Sequence, residues 1–184
     1  MPRLFVAVRP PPEVLTAVAE AVMPARHAMV GPAWTTHDQW HLTLQFLGAV
    51  PDDALSGVSR ALDAASRVPP FPVRLGGAGA FPKPSRARVI WLGVAAGEEG
   101  MTHLASAVNA ALAPLGHEPA ERHYHPHLTL ARLKAPGEVA PALEALGDDP
   151  VGPAFTVGEA VLYESRRSRQ GARYEPVSAV ALEG

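Results

Sequence analysis

The sequence contains the stretch His41-Leu42-Thr43-Leu44, and the same four residues recur as His127-Leu128-Thr129-Leu130. In a β-strand, successive side chains alternate between the two faces, so each histidine shares a face with the threonine two positions on, about 7 Å away. The leucines occupy the opposite face, where they can pack against a core. A helix is predicted after each strand. The repeat therefore indicates two similar half-domains that face each other across a cleft.

The pattern of apolar residues around these stretches predicts a mixed order of strands and helices. Strands are predicted over residues 4–8, 39–47, 71–75, 87–94, 127–133, 155–163 and 174–182. Helices are predicted over residues 13–23, 53–66, 101–112 and 139–146. The Gly- and Pro-rich segment 76–84 predicts an exposed hairpin loop. Because hairpins interrupt the strand-helix alternation, we expect an α+β fold with antiparallel sheets and not a doubly wound parallel one.

Length and composition restrict both the organisation and the function. The chain has 184 residues, of which 47% are hydrophobic, so residues 1–184 are expected to form a single domain of two intertwined lobes, each contributing one motif. Charged residues make up 18% of the chain and the net charge is −2. These values argue against a disordered charged tail and against a protein that binds long nucleic acid through many phosphates. Any RNA partner would be recognised locally, at a terminus or in a cleft.

Two absences in the sequence narrow the chemistry and the location. There is no cysteine, which excludes disulfides, thiolate metal ligands and a cysteine nucleophile. The apolar run near the N-terminus is too short for a signal peptide, and no stretch approaches 18 apolar residues. We expect a cytoplasmic protein that does not associate with a membrane.

A pair of histidines on opposite walls of a cleft suits acid-base catalysis of phosphodiester hydrolysis. Imidazole has an unperturbed pKa of about 6.5, so one neutral and one protonated copy can coexist near neutral pH. For a five-membered cyclic phosphodiester, one copy would activate water and the other would protonate the leaving oxygen. The hydroxyls of Thr43 and Thr129 can donate hydrogen bonds to the non-bridging phosphate oxygens. No metal or other cofactor is expected.

The sequence resembles the two-histidine phosphoesterase superfamily and, within it, the RNA 2′,3′-cyclic phosphodiesterases first described as 2′-5′ RNA ligases. The similarity extends over nearly the whole chain. It is carried by Arg3-Leu4-Phe5-Val6-Ala7, by His41-Leu42-Thr43-Leu44-Gln45-Phe46-Leu47-Gly48, by Arg88-Val89-Ile90-Trp91-Leu92-Gly93, by Pro126-His127-Leu128-Thr129-Leu130-Ala131-Arg132, and by Leu162-Tyr163-Glu164-Ser165 with Gly171-Ala172-Arg173-Tyr174.

The resemblance implies a bilobal α+β fold with antiparallel sheets lining a central cleft and with helices outside. It implies hydrolysis of RNA 2′,3′-cyclic phosphate ends to a 2′-phosphate, and 2′-5′ ligase activity as a reaction that can be seen in vitro. By the same match, His41 is the proton donor and His127 the proton acceptor. Thr43 and Thr129 are phosphate ligands. Which cyclic phosphate serves as the substrate is left open, among tRNA halves, oligonucleotides, cyclic nucleotides and ADP-ribose cyclic phosphate.

Arg132 matches an arginine that follows the second motif in the family, which implies a substrate-binding role. Strict strand alternation would point Arg132 away from His127. The role therefore requires a β-bulge or a strand end between these two residues.

Two alternatives of a different kind remain open from the residues. His123, His125 and His127 would share a strand face if Pro126 left the strand undisturbed, and three imidazoles could then bind zinc in a metal-dependent hydrolase. The other alternative is a non-catalytic module that binds RNA ends or nucleotides. The segment 122–126, Arg-His-Tyr-His-Pro, is otherwise interpreted as an exposed approach to the strand.

Basic and aromatic residues outside the motifs allow further contacts with RNA. Phosphates could meet Arg166, Arg167, Arg169 and Arg173 at one tip, and Lys83, Arg86 and Arg88 at another, although solvated loops explain these residues equally well. Three tryptophans, Trp34, Trp40 and Trp91, could stack a base, but aromatic residues in apolar strands are more often part of the core. Because one chain carries both motifs, we expect a monomer and no protein partner.

Overall fold

The computed structural model describes residues 1–119, 123–168 and 171–184, which form four α-helices and nine β-strands. The helices are α1 (Pro12–Ala28), α2 (Leu55–Leu62), α3 (Glu98–Leu112) and α4 (Ala140–Leu146). The strands are β1 (Arg3–Val8), β2 (Ala33–Trp34), β3 (Leu42–Ala49), β4 (Phe71–Phe81), β5 (Ala87–Ala96), β6 (Leu128–Gly137), β7 (Pro150–Val157), β8 (Glu159–Ser168) and β9 (Gly171–Ala181). None of the described helices is long and apolar enough to span a membrane.

All nine strands belong to one antiparallel sheet, in the order β7-β4-β5-β6-β3-β1-β8-β9, with the short β2 beside β6. The two central strands, β3 and β6, carry the repeated motif. They pair where Leu42 lies opposite Leu128. The sheet thus consists of two halves of four principal strands joined at the motif, which confirms the predicted α+β class with two similar antiparallel lobes.

The helices pack on the sheet through apolar residues spaced three and four apart. In α1 the buried side chains are Val14, Leu15, Val18, Val22 and Ala25, and in α3 they are Met101, Leu104, Ala105, Val108 and Leu112. The main core cluster also contains Leu44 and Leu130, from β3 and β6. Because this core draws on both halves of the sheet, we propose that the chain folds as one domain.

The predicted hairpin is confirmed, because β4 and β5 pair antiparallel, but the predicted loop over residues 76–84 is too long, since β4 continues to Phe81 and pairs with β5 along this segment. Gly79 in this segment leaves space for the side chain of Trp91 on the neighbouring strand. A Cβ on Gly79 would collide with the indole ring of Trp91, which lies against the glycine backbone. Glycine in a strand can mark such a close approach, and composition alone does not separate this case from a turn.

The predicted strand over residues 155–163 is also wrong, since it is two strands that separate at Gly158. β7 pairs with β4 at one edge of the sheet, whereas β8 pairs with β1 in the other half. Two other boundaries differ. α1 continues past Pro24 to Ala28, and the second predicted helix ends at Leu62 and is followed by a 3-10 turn over Asp63–Arg67.

Candidate active site

The two motif histidines lie directly before the strands that join the two halves of the sheet. His41 precedes β3 and His127 precedes β6. The next residues, Leu42 and Leu128, pair with each other and are fully buried in the core. Because neighbouring strand residues face opposite sides, both histidines are directed away from the core and toward the same face of the sheet.

The register at this junction interleaves the two motifs. In an antiparallel pair centred on Leu42 and Leu128, His41 comes opposite Thr129 and Thr43 comes opposite His127. The four side chains line one cavity of about 390 Å³. Each histidine therefore lies beside the threonine of the other motif, which brings the four residues together around a pseudo-twofold axis.

The imidazole orientations are fixed by backbone carbonyls. Nδ1 of His41 lies 2.8 Å from the carbonyl oxygen of Gln39, and Nδ1 of His127 lies 2.7 Å from that of His125. A carbonyl only accepts, so Nδ1 of each ring carries a proton and donates it. In the neutral state the proton-accepting nitrogen is then Nε2 in both rings, and it is available for chemistry in the cavity.

His41 is enclosed by aromatic rings. Its ring centroid lies 4.8 Å from that of Phe5 and 5.0 Å from that of Tyr174. This burial lowers the pKa of His41 to about 4, and the positive charges of Arg9 and Arg132 act in the same direction. The hydrogen bond to Gln39 opposes the shift without reversing it.

His127 lies in a similar aromatic setting in the same cavity. Its ring centroid is 5.0 Å from that of Phe81 and 6.2 Å from that of Trp91. Burial again lowers the pKa of this half-buried histidine, followed by smaller contributions from the charges of His125 and Arg132. Before substrate binds, both imidazoles are thus expected to be neutral near pH 7.

Arg132 reaches the cavity because β6 contains a bulge. The pairing of β6 with β5 shifts between Thr129 and Ala131, so Leu130 has no register partner. Leu130 and Ala131 are consecutive and both buried. The extra residue reverses the alternation, and Arg132 returns to the face of Thr129, where it lines the cavity.

Phe46 is a cavity residue that the sequence analysis did not single out. β3 has a matching irregularity, in which Val6 pairs with Gln45 and Ala7 with Thr43. Phe46 therefore holds the position in the first motif that Arg132 holds in the second. Its side chain is 69% exposed at the cavity. The sequence contained a signal for Phe46: it follows His41 by five residues, as Arg132 follows His127.

The tryptophans make different contributions. Trp40 is buried and donates a hydrogen bond of 2.9 Å from Nε1 to Oγ1 of Thr35, so it belongs to the core. Trp34 is half-buried and lies beneath the guanidinium of Arg26 at 6.0 Å. Trp91 contacts the rings of the second wall and does not itself line the cavity.

The basic residues at the two tips are exposed but lie outside the cavity that the two motifs line. Arg166 forms ion pairs of 3.1 Å with both Glu164 and Glu175, which compensates its charge. The predicted contact residue Arg169 lies outside the described residues. None of the described basic residues of the two tips lines this cavity. These residues are Arg166, Arg167 and Arg173 at one tip, and Lys83, Arg86 and Arg88 at the other.

The structure does not assemble the zinc site that the sequence left open. β6 begins at Leu128, so strand alternation does not extend back through Pro126 to the preceding histidines. The rings of His125 and His127 are 6.3 Å apart between centroids. Within the part of the chain that is described, no group of three His, Asp or Glu side chains is placed to hold a metal ion. Arg122 lies outside that part.

Comparison with known proteins identifies the family. Residues 10–169 match the family described as the 2′-5′ RNA ligase superfamily, and they include both motifs, Phe46 and Arg132. The chain belongs to the 2′-5′ RNA ligase superfamily.

Relatives within this superfamily are similar over most of their length. The chain is 36% identical over 154 residues to the RNA 2′,3′-cyclic phosphodiesterase of Aeropyrum pernix, which covers 81% of this chain and 86% of the relative. A crystal structure of a Thermus thermophilus protein superimposes with a TM-score of 0.80 at 32% identity, covering 99% and 98% of the two chains. Escherichia coli LigT complexed with 3′-AMP gives a TM-score of 0.78 at 30% identity, covering 100% and 99%.

Proposed function

We propose that this protein of the 2′-5′ RNA ligase superfamily hydrolyses RNA 2′,3′-cyclic phosphate termini to 2′-phosphomonoesters. The observation that carries the proposal is a pair of imidazoles that line one cavity, with both Nδ1 atoms held by carbonyls and with no hydrogen-bond partner for either Nε2 among the described residues. The name of the Aeropyrum pernix relative and the nucleotide in the LigT complex support it. The substrate is an RNA end, and the complete cavity within one chain supports a monomer.

In the proposed reaction, the cyclic phosphate lies between the two histidines. His127, as the base, takes a proton from water at Nε2 while the water oxygen attacks phosphorus. His41, as the acid, gives its Nε2 proton to the ribose 3′ oxygen as the P–O3′ bond breaks. The product is a 2′-phosphate. Because both proton transfers are made by side chains of this chain, the proposed mechanism requires no metal.

His41, the proposed acid, must be protonated although burial lowers its pKa before substrate binds. The bound phosphodiester carries a negative charge, and an opposite charge close to an imidazole raises its pKa. Binding of the substrate therefore favours uptake of the single proton that the reaction needs. Arg132 and the hydroxyls of Thr43 and Thr129 stabilise the additional charge on the non-bridging oxygens as the water attacks.

A wild-type assay tests the proposed function directly. We expect a short RNA with a 2′,3′-cyclic phosphate to be converted to a 2′-phosphate with an unchanged rate in EDTA. Chromatography against authentic 2′- and 3′-phosphate standards identifies the product. Loss of activity in EDTA would favour a metal-dependent hydrolase. Tight binding without turnover would favour the non-catalytic module.

The same assay with an added 5′-hydroxyl RNA tests for 2′-5′ ligase activity. Joining of the two RNAs would be the reverse of cleavage of a 2′-5′ phosphodiester bond.

Phe46 is proposed to stack on the terminal base, since its exposed ring borders the cavity. Base-aromatic stacking contributes about 1–3 kcal/mol, so Phe46→Ala should raise KM roughly tenfold with little change in kcat. Phe46→Trp should keep a KM near that of wild type. Initial-rate kinetics with a cyclic phosphate that lacks the base provide the control, because that substrate should not distinguish the variants.

A matched control for Phe46 is Leu115→Ala, which removes another exposed apolar side chain away from the cavity. We expect this variant to resemble wild type with both substrates. An equal KM increase with the normal and the base-free substrate in Phe46→Ala would show that the ring supports the cavity wall and does not bind the base.

A further inference from the structure

A second cavity of about 440 Å³ adjoins the catalytic one and shares Gln39 and Tyr174 with it. Two arginines, Arg9 and Arg173, contribute its basic groups. The remaining lining residues are Thr36, Asp38, Ala172 and Glu175. Gln39 links the two sides of this cavity, because its Nε2 donates a 2.9 Å hydrogen bond to the carbonyl of Ala172.

This second cavity lies at the end of the catalytic cleft opposite Phe46. β1 and β3 are antiparallel, with Arg3 opposite Ala49 and Val8 opposite Leu42. Arg9 therefore follows β1 at the end of the cleft where His41 precedes β3. Phe46 lies in the other direction along β3. The order along the cleft is an aromatic ring, the two histidines and then the two arginines.

Arg9 is positioned without being neutralised. Its Nη1 and Nη2 atoms lie 3.2 Å and 3.4 Å from the carbonyl oxygens of Asp38 and His37. Its charge is close enough to the reaction centre to contribute to the lowered pKa of His41. Within residues 1–119, 123–168 and 171–184, neither Arg9 nor Arg173 forms an ion pair.

The two carboxylates of the same cavity have other partners. Glu175 forms an ion pair of 3.1 Å with Arg166. Asp38 lies 3.7 Å from Nδ1 of His37, a contact that is an ion pair only when the imidazole is protonated. The cavity therefore holds two guanidinium groups without carboxylate partners in a polar recess, an arrangement that suits a phosphate or phosphodiester anion.

The chemistry of ribose places such an anion at this end of the cleft. The cyclic phosphate is bonded to O2′ and O3′. The base is attached to C1′, next to C2′, and the 5′ group is attached to C4′, next to C3′. With the base directed to Phe46 and O3′ beside His41, the 5′ group extends toward Arg9.

We infer that the second cavity binds the phosphate on the 5′ side of the terminal nucleoside, through Arg9 and Arg173. This inference rests on the proposed function and deepens it. The preferred substrates are then oligonucleotides, or nucleotides with a 5′ phosphate, over 5′-hydroxyl cyclic mononucleotides. Local recognition of one further phosphate is consistent with the small net charge of −2.

Three substrates that differ only on the 5′ side test the inference. They are adenosine 2′,3′-cyclic phosphate, the same nucleotide with a 5′ phosphate, and the dinucleotide ApA ending in a cyclic phosphate. A charge-assisted contact contributes about 1.5–3 kcal/mol, so kcat/KM should be roughly tenfold higher or more for the latter two. The gain should shrink as the salt concentration is raised.

Arg9→Gln and Arg173→Gln should each reduce this 5′-phosphate gain, measured as the ratio of kcat/KM between the two mononucleotides. The ratio separates the subsite from any effect on the reaction itself. Arg60→Gln, on the exposed side of α2 and outside both cavities, is the control and should keep the wild-type ratio.

Equal kcat/KM values for the three substrates with wild type would overturn the inference while the proposed function stood. So would a gain that persists in both arginine variants. If folded wild type hydrolysed none of the three, the proposed function would fail, and the inference would fail with it.

Discussion

Replacing His41 or His127 with alanine is expected to lower kcat for hydrolysis of an RNA 2′,3′-cyclic phosphate by roughly 10²- to 10⁴-fold, because each variant lacks one of the two proposed proton-transfer groups. Both rings have Nδ1 held by a carbonyl, and neither Nε2 has a hydrogen-bond partner in the described part of the chain, so either loss removes one half of the proposed acid-base pair. Single-turnover assays measure the effect. His103→Ala, at an exposed position on α3, is the matched control and should retain wild-type activity.

A substrate with sulfur in place of the bridging 3′ oxygen distinguishes the acid from the base. A thiolate has a conjugate-acid pKa of about 8.5 and leaves readily without a proton. We therefore expect the thio substrate to restore much of the activity of His41→Ala. It should leave His127→Ala slow, since water still requires a base. Rescue of His127→Ala instead would reverse the assigned roles, and unchanged thermal unfolding curves would show that both variants are folded.

The central part of the site could be predicted from the sequence because it depends on local periodicity. Alternation in two copies of one motif placed each histidine and threonine on one face and each leucine in the core. The structure agrees, with Leu42 and Leu128 fully buried at the junction. The sequence analysis expected the two copies to face each other across a cleft, whereas in the structure they lie on adjacent strands that pair at Leu42 and Leu128.

Features that depend on strand register could not be predicted in the same way. An extra residue at Leu130 reverses the alternation and returns Arg132 to the cavity, and the irregular pairing of β3 with β1 occurs just before Phe46. The sequence could state only that a bulge or a strand end was required between His127 and Arg132. A bulge depends on which residues of the neighbouring strand form hydrogen bonds, and periodicity within one strand does not contain that information.

The second cavity, lined by Arg9 and Arg173, depends on the order of the strands in the sheet. Strand order is harder to predict from the sequence than the alternation within one strand. The walls of this cavity combine the end of β1, the turn before β3 and the start of β9. Arg9 and Arg173 are distant in sequence and become neighbours only because β1 lies between β3 and β8. The sequence analysis placed Arg173 in a basic tip and did not single out Arg9.

Arg132→Met is expected to reduce kcat/KM by roughly 10²- to 10³-fold, which is the usual effect of removing a donor that stabilises developing charge in a transition state. Arg132→Lys should retain more activity because it keeps a positive charge but cannot form two parallel hydrogen bonds with phosphate. The exposed Arg88, which precedes the neighbouring cavity residue Val89 on β5, provides the control as Arg88→Met. An equal loss in the control would indicate damage to the sheet.

The pH profile separates a charge effect of Arg132 from a structural one. The proposed active form of the free enzyme carries one proton on the histidine pair, so kcat/KM follows a bell limited by the two apparent pKa values of the pair. Burial lowers the pKa of both histidines below the ordinary value of about 6.5, so in wild type kcat/KM should already be falling as the pH rises to 6.5. Because the charge of Arg132 lowers both pKa values further, its removal should move the whole bell to higher pH. A lower bell at an unchanged pH position would contradict a direct electrostatic role for Arg132.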